Sequence, residues 1–209
     1  MSISRQNKEI KTTKAFYEKY ADLWVKNHSD SFHDEKEFRV LAGLIGPRSS
    51  VIDIGCAGGV LVPLFFGIGR GLRYYGIDIA TKFIAIASRR YPQLTFTQGN
   101  IADAHTLPYR KFDAFIARSV LMHLPLSEWD VAFANIEKIT KPGAYGYVVL
   151  PSNRPPSMAP STDMRHFTIL SEKEQVAYIK SRGWKIVRKF KHAIGPAKAN
   201  WIGYIVKLP

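Results

Sequence analysis

Short apolar runs closed by glycine, proline or an acid alternate with longer stretches whose apolar residues recur every three or four positions. This pattern predicts strands alternating with helices along the chain. Phe16, Tyr20, Leu23 and Trp24 fall on one face of a first helix, with Thr12 or Thr13 as its cap and residues 1–11 as a frayed tail. The polar stretch Lys26–Asp34 reads as a loop, and Phe38, Leu41, Ala42 and Ile45 mark a second helix that stops at Gly46-Pro47. Val51–Ile54 reads as a buried strand, the small residues Gly55–Gly59 as a tight turn, and Val60–Phe66 as a helix. Tyr74–Asp78, Leu94–Gln98, Phe112–Ala117 and Tyr145–Leu150 read as further strands, with a helix running from beyond Asp78 to about Tyr91-Pro92 and a turn at Lys141-Pro142-Gly143. Ser127 with Asp130 and Ser171 with Glu174 have capping-box spacing at the starts of two later helices, the second ended by Gly183. Trp184–Phe190 and Trp201–Val206 read as two closing strands, a hairpin with a long basic loop.

Strands alternating with helices predict an α/β fold, a doubly wound, mostly parallel sheet. The chain has 209 residues, of which 46% are hydrophobic, enough for a sizeable core. With no internal repeat and no linker, residues 1–209 read as a single domain. No apolar run reaches membrane-spanning length, and the polar N-terminus lacks the apolar core of a secretory signal. The single cysteine, Cys56, excludes an internal disulfide framework and points to a reducing, cytoplasmic setting. Cys56 reads as a small packing residue, because no histidine lies near it in sequence. The formal net charge is +13, and no acid follows Glu174, while Lys180, Arg182, Lys185, Arg188, Lys189, Lys191, Lys198 and Lys207 do. Such a face attracts nucleic acid or merely keeps the protein soluble; both readings stay open.

The strand, glycine turn and helix around Asp53 form a site for a nucleotide-like ligand, since small residues let backbone amides approach it. Asp53 puts a negative charge at the strand end, which repels a pyrophosphate and attracts a cationic or amine-bearing ligand. The dinucleotide fingerprint Gly-x-Gly-x-x-Gly fails here, with Ala57 at its second glycine and Val60 at its third. The stretch instead resembles motif I of the class I S-adenosylmethionine-dependent methyltransferases, standing as Asp53-x-Gly55-x-Ala57-x-Gly59, with alanine at the middle glycine. The likeness is to the small, single-domain type 11/25 members.

That resemblance implies a Rossmann-like, seven-stranded sheet with a C-terminal antiparallel hairpin, lid helices over residues 1–46 and a catalytic core over 47–209. It implies S-adenosyl-L-methionine as cofactor, with S-adenosyl-L-homocysteine as product. Asp78, at the end of the second strand, corresponds to the acid that takes ribose hydroxyls, and Ile79 and Phe83 to the residues that pack on adenine. Asn100, where the family more often has aspartate, is placed at the adenine amino group, followed by Ile101. Arg118 and Ser119 end the fourth strand beside the glycine turn, where open α/β sheets bind ligands. Val120–Pro125 resembles the family's next turn. The implied cofactor-binding set is Asp53, Gly55, Cys56, Ala57, Gly59, Asp78, Ile79, Phe83, Asn100, Ile101, Arg118 and Ser119. Phe16–Ala21 is similar to an N-terminal helix that lies over cofactor and substrate, making residues 12–34 a lid.

Methyl transfer is an in-line displacement, so the protein mainly positions the reactants and excludes water. The chain lacks Asn-Pro-Pro-Tyr, metal-ligand spacing and a second cysteine, which argues against base-amine, Mg-dependent and two-cysteine carbon-methylating mechanisms. His123, His166 and Tyr17 are the candidate catalytic residues, with Arg118, Asp163 and Arg165 also on the acceptor side. His123 on its apolar turn reads either as a packed histidine or as a base. Pro151–Ser161 reads as a substrate loop. Three functions remain: a methyltransferase acting on an O or N atom of a small molecule, an RNA methyltransferase using the basic C-terminus, and a cofactor-binding protein without transfer activity. The expected assembly is a monomer or homodimer, with no membrane partner.

Overall fold

A computed structural model describes residues 3–28, 35–153, 161, 163–194 and 199–209. Its strands are β1 (Ser50–Ile54), β2 (Arg73–Asp78), β3 (Thr95–Gln98), β4 (Phe112–Arg118), β5 (Thr140–Pro151), β6 (Lys185–Ile194) and β7 (Ala199–Lys207). They form one sheet in the order β3-β2-β1-β4-β5-β7-β6. β1 through β5 pair in parallel, while β7 is antiparallel to both β5 and β6. Strand order reverses between β1 and β4, so their carboxyl ends open a crevice there, the place where such sheets take ligands.

The helices are α1 (Ile3–His28), α2 (Glu35–Leu44), α3 (Val62–Gly67), α4 (Thr81–Arg90), α5 (Trp129–Ile139) and α6 (Glu172–Ser181). Apolar residues on both sides of the central strands make two cores. Ile52, Ile54, Phe115 and Val148 meet Trp129, Phe133 and Ile136 of α5. Val51, Ile116 and Val149 meet Phe38 and Leu41 of α2 and Leu64 and Phe65 of α3. Burial on both faces is why β1 and β4 read as near-continuous apolar runs.

Several local expectations are corrected. α1 begins at Ile3 rather than at a threonine cap and kinks at Tyr20. Thr12 bonds the Glu9 carbonyl, and Thr13 accepts from the backbone N–H of His166 at 2.9 Å. Residues 1–2, 29–34, 154–160, 162 and 195–198 lie outside the described residues, and with them much of the expected Lys26–Asp34 loop, the Pro151–Ser161 loop and the hairpin tip. α5 has Glu128 at its cap with no side-chain cap bond. Asp130 instead accepts from the Tyr178 hydroxyl at 2.7 Å, because α6 packs close enough to offer a better-placed donor. The Ser171–Glu174 capping box at α6 is formed. The expected turn at residues 141–143 lies inside β5, with Gly143 at φ +70° and its N–H on the Pro209 carbonyl.

Candidate active site

β1 leaves the sheet at Gly55, whose φ is +77°. The amides of Gly55 and Cys56 both donate to the Ile77 carbonyl, at 2.8 and 3.0 Å, which ties the turn to β2. A Cβ on Gly55 would stand 2.8 Å from Val120, so glycine lets the β4 exit rest against the turn. Ala57 adopts φ +48° at the position of the family's middle glycine. Its amide donates to Asp78 Oδ2 at 2.9 Å, and the Ala80 amide donates to Asp78 Oδ1 at 2.8 Å. The expected cradle of ligand-facing amides is thus largely turned inward, onto β2. α3 starts two residues later than predicted and has only 6 residues, too short to serve as an anion-binding helix end.

Asp53 is buried, and its Oδ2 accepts from the Tyr74 hydroxyl at 2.5 Å. Its Oδ1 is buried with no hydrogen-bond partner among the described residues. Loss of water pushes the carboxyl up to about 7, against the Tyr74 bond and the nearby Arg118 guanidinium. An orphaned acceptor with a frustrated charge suits a ligand that brings an ammonium group. Burial also pushes Asp78 up to about 6, opposed by the Ala80 and Ala57 amides and reinforced by Glu18. The Asp78 carboxylate is held by the Ala57 and Ala80 amides, with the Ile79 amide also lowering its pKa, and its remaining lone-pair capacity can accept from a hydroxyl. Cys56 is buried and its thiol is pushed up by burial and by Asp78 and Asp53, so it is a packing residue and no nucleophile.

α1 lies across this site. Phe83 is 2% exposed, with the Tyr17 and Trp24 rings 5.6 and 5.5 Å away. A Cβ on Gly58 would stand 2.5 Å from Val25, so α1 packs directly on the turn. Glu18 accepts from the Thr81 and Lys82 amides at 2.7 and 2.9 Å. These are orphan amides of α4, whose own cap residue, Ala80, has no side-chain acceptor. Asp22 pairs with Lys82 at 2.7 Å.

Beneath α1, a 3-10 turn at Leu121–His123 meets the segment Asp163–Thr168. His123 Nδ1 bonds the His166 carbonyl at 2.9 Å, and its Nε2 bonds the Tyr17 hydroxyl at 2.8 Å. Burial lowers the His123 pKa to about 3, so the ring is neutral. Arg165 donates to Tyr17 Oη at 2.9 Å and forks onto Asp163 at 2.9 and 2.8 Å. Its guanidinium lies 4.6 Å from the Phe16 ring centre and 4.9 Å from that of Phe167. His166 bonds Thr168 Oγ1 through Nε2 at 2.9 Å, and its Nδ1 lies 3.8 Å from Glu9.

A family profile described as Methyltransferase domain matches residues 52–148, the span from β1 through β5 that carries the glycine turn and Asp78. Over that span, a little under half of its length, the chain is similar to the S-adenosylmethionine-dependent methyltransferases. Its fold is shared with the 1,6-didemethyltoxoflavin-N1-methyltransferase of Burkholderia thailandensis, at a TM-score of 0.77 and 14% identity over 97% of this chain and 90% of that one. That structure holds 1,6-didemethyltoxoflavin and S-adenosylhomocysteine. Magnesium protoporphyrin IX methyltransferase of Synechocystis PCC 6803, solved with S-adenosylhomocysteine, aligns at a TM-score of 0.69 and 17% identity over 94% and 100%. The [4+2]-cyclase SpnF aligns at 0.65 and 16% over 84% and 81%, so the fold by itself does not dictate methyl transfer. No curated protein matches the chain.

The structure gathers Asp53, Gly55, Cys56, Ala57, Gly59 and Asp78 around one turn. Arg118 lies near enough to lower the Asp53 pKa, and Ser119, at φ +58°, hands β4 on to Val120. Ile79 is half-buried, and its carbonyl accepts from Gln98. Asn100 is less available than its motif position suggests, since its Oδ1 accepts from the Ala102 amide at 3.0 Å. Ile101 packs into the core on the α5 side. Tyr17, His123 and His166, far apart in sequence, meet at one junction. Tyr74 and Glu18 were not singled out by sequence. Tyr74 reaches Asp53 only through the β1–β2 register, and Glu18 caps a helix other than its own, so neither leaves a local signal.

Proposed function

We propose that the protein transfers the methyl group of S-adenosylmethionine to an oxygen or nitrogen atom of a small-molecule acceptor. The observation that carries the cofactor side is the buried, unpartnered Asp53 Oδ1 beside the glycine turn, which suits the cofactor's ammonium. Asp78 would take the ribose hydroxyls, and Phe83 with Ile79 the adenine face once the Tyr17 and Trp24 rings shift. The sulfonium supplies an electrophilic methyl carbon. The chain's own part is to hold both reactants in line, exclude water under α1 and manage the acceptor's proton. Tyr17, His123 and His166 stand at the acceptor side. Tyr17 lies between Asp78, whose charge it feels, and the Arg165–His123 cluster. A small acceptor is favoured because a methyltransferase that shares the fold along nearly the whole chain has 1,6-didemethyltoxoflavin, a small molecule, bound beside S-adenosylhomocysteine.

The RNA reading rests on the basic C-terminus, but Lys189 and Lys191 both pair with Glu172, and Arg182 pairs with Glu137. Charges already paired within the fold favour the small-molecule reading. Calorimetry with S-adenosylhomocysteine, with NADH as competitor, tests the cofactor site, and a panel of acceptors with labelled methyl donor tests transfer. Binding of NADH without binding of S-adenosylhomocysteine would overturn the proposal.

A further inference from the structure

The hydrogen bonds around Tyr17 have a fixed direction. A carbonyl only accepts, so the His123 Nδ1 that meets the His166 carbonyl carries the proton. In the neutral ring Nε2 is then bare, and the Tyr17 hydroxyl, 2.8 Å away, donates to it. Arg165 has no acceptor, so it donates to Tyr17 Oη and fills one lone pair. One lone pair of Tyr17 is left, and no proton. From this we propose that His123 and Arg165 act as positioning residues that make Tyr17 an acceptor-only hydroxyl, so that the site takes methyl acceptors whose reacting atom bears a hydrogen, N–H or O–H, and refuses tertiary amines and thioethers.

This rests on the proposal above that Tyr17 faces the acceptor. A donor X–H completes the Tyr17 hydroxyl, whereas an atom with only a lone pair meets another lone pair, and a site built for a donor rejects its absence strongly. The electron pair on X attacks the methyl carbon as the carbon–sulfur bond breaks, with the X–H held on Tyr17 Oη; the proton then leaves X for bulk water, since the buried neutral His123 beside Arg165 is too poor a base to keep it. Asp163, bidentate on Arg165, keeps the buried guanidinium paired and aimed. The charged and titratable groups facing Tyr17 are Arg165 and Asp163 of the crossing segment, His123 of the 3-10 turn, and Asp78 of β2.

Two measurements test this. In the full chain labelled with ¹⁵N-histidine, His123 should hold the Nδ1–H tautomer, with bare Nε2, both with and without S-adenosylhomocysteine; the Nε2–H tautomer overturns the proposal whatever the acceptor. Turnover with labelled methyl donor is then compared for acceptors with and without a hydrogen on the reacting atom, secondary against tertiary amines and phenols against aryl thioethers. Only the hydrogen-bearing members should react. Arg165→Met should lower kcat roughly ten- to a hundredfold, the scale of one hydrogen bond from a charged group, with S-adenosylhomocysteine affinity unchanged and partial recovery in Arg165→Lys. Equal rates for tertiary amines or thioethers overturn the proposal. Unchanged turnover in Tyr17→Phe overturns the placement of Tyr17 at the acceptor, which is a failure of the underlying functional reading instead.

Discussion

Asp53 shows what burial does to one carboxylate. With one oxygen on Tyr74 and the other unpartnered, its pKa rises to about 7. The folded, ligand-free protein therefore holds a proton that the unfolded chain gives up near the ordinary value of 3.8, and stability contributed by this group falls as pH rises between those limits. An ammonium on Asp53 draws the pKa down again, so binding expels that proton. Cofactor affinity should rise with pH up to about 7 and then level. Calorimetry at mildly acidic pH should give enthalpies that depend on the buffer's ionisation heat, and Asp53→Asn should reduce that dependence, leaving the share that belongs to Asp78. Ala57 makes a second point. Its φ of +48° costs a non-glycine residue about 1–2 kcal/mol, partly offset by the freedom glycine has when unfolded. Ala57→Gly should raise the melting temperature or leave it unchanged; a fall would refute the strain. Asp78→Asn keeps the side chain's shape but weakens an acceptor, and should cost about 1.5–3 kcal/mol of cofactor affinity in a folded protein.

α1 is held to the core by polar contacts at points along its length: Thr13 to the His166 amide, Tyr17 to Arg165 and His123, Glu18 to the start of α4, and Asp22 to Lys82. Ala21, Tyr17, Trp24 and Val25 also pack apolar surface around Phe83, so we propose α1 as a lid that must break both sets of contacts before adenine reaches Phe83. Bound S-adenosylhomocysteine should slow amide exchange over residues 12–28. Glu18→Ala strips the cap from α4 and should speed exchange there without unfolding the sheet. Exchange that ignores both ligand and substitution would rule out the lid.

At the scale of the molecule, the +13 charge is less a single binding face than a set of partly paired surfaces. β6 is one of the two sheet edges, where lysines discourage pairing with other chains. Lys189 and Lys191 share Glu172, while Asp113 is drawn down to about 2 because bonds from Lys141 and Ser50 outweigh its desolvation. Replacing Arg188, Lys189 and Lys191 with glutamate should leave cofactor affinity and small-acceptor turnover nearly intact. Total loss of turnover in a folded variant that still binds cofactor, together with steeply salt-dependent RNA binding by the parent, would establish the RNA reading instead. Among the described residues, no helix is long and apolar enough to cross a membrane.

The chain's periodicities and punctuation were sufficient for the seven strands, their mostly parallel wind and the turn at Gly55–Gly59. Strand burial, turn chemistry and the Ser171–Glu174 cap are local properties, written within a few consecutive residues. The same locality explains the misplacements: Ser127–Asp130 has the right spacing for a cap, yet Asp130 is claimed by Tyr178 of another helix. The candidate site divides along that line. Asp53, Asp78 and the glycines were legible because one strand–turn unit and the next strand end carry them. The orphaned oxygen of Asp53, the capping of α4 by Glu18 and the one-way bonds from Arg165 through Tyr17 to His123 were decided by tertiary structure. Each joins residues separated by a crossover or a whole helix, and hydrogen-bond direction exists only once donors and acceptors are within about 3 Å of one another.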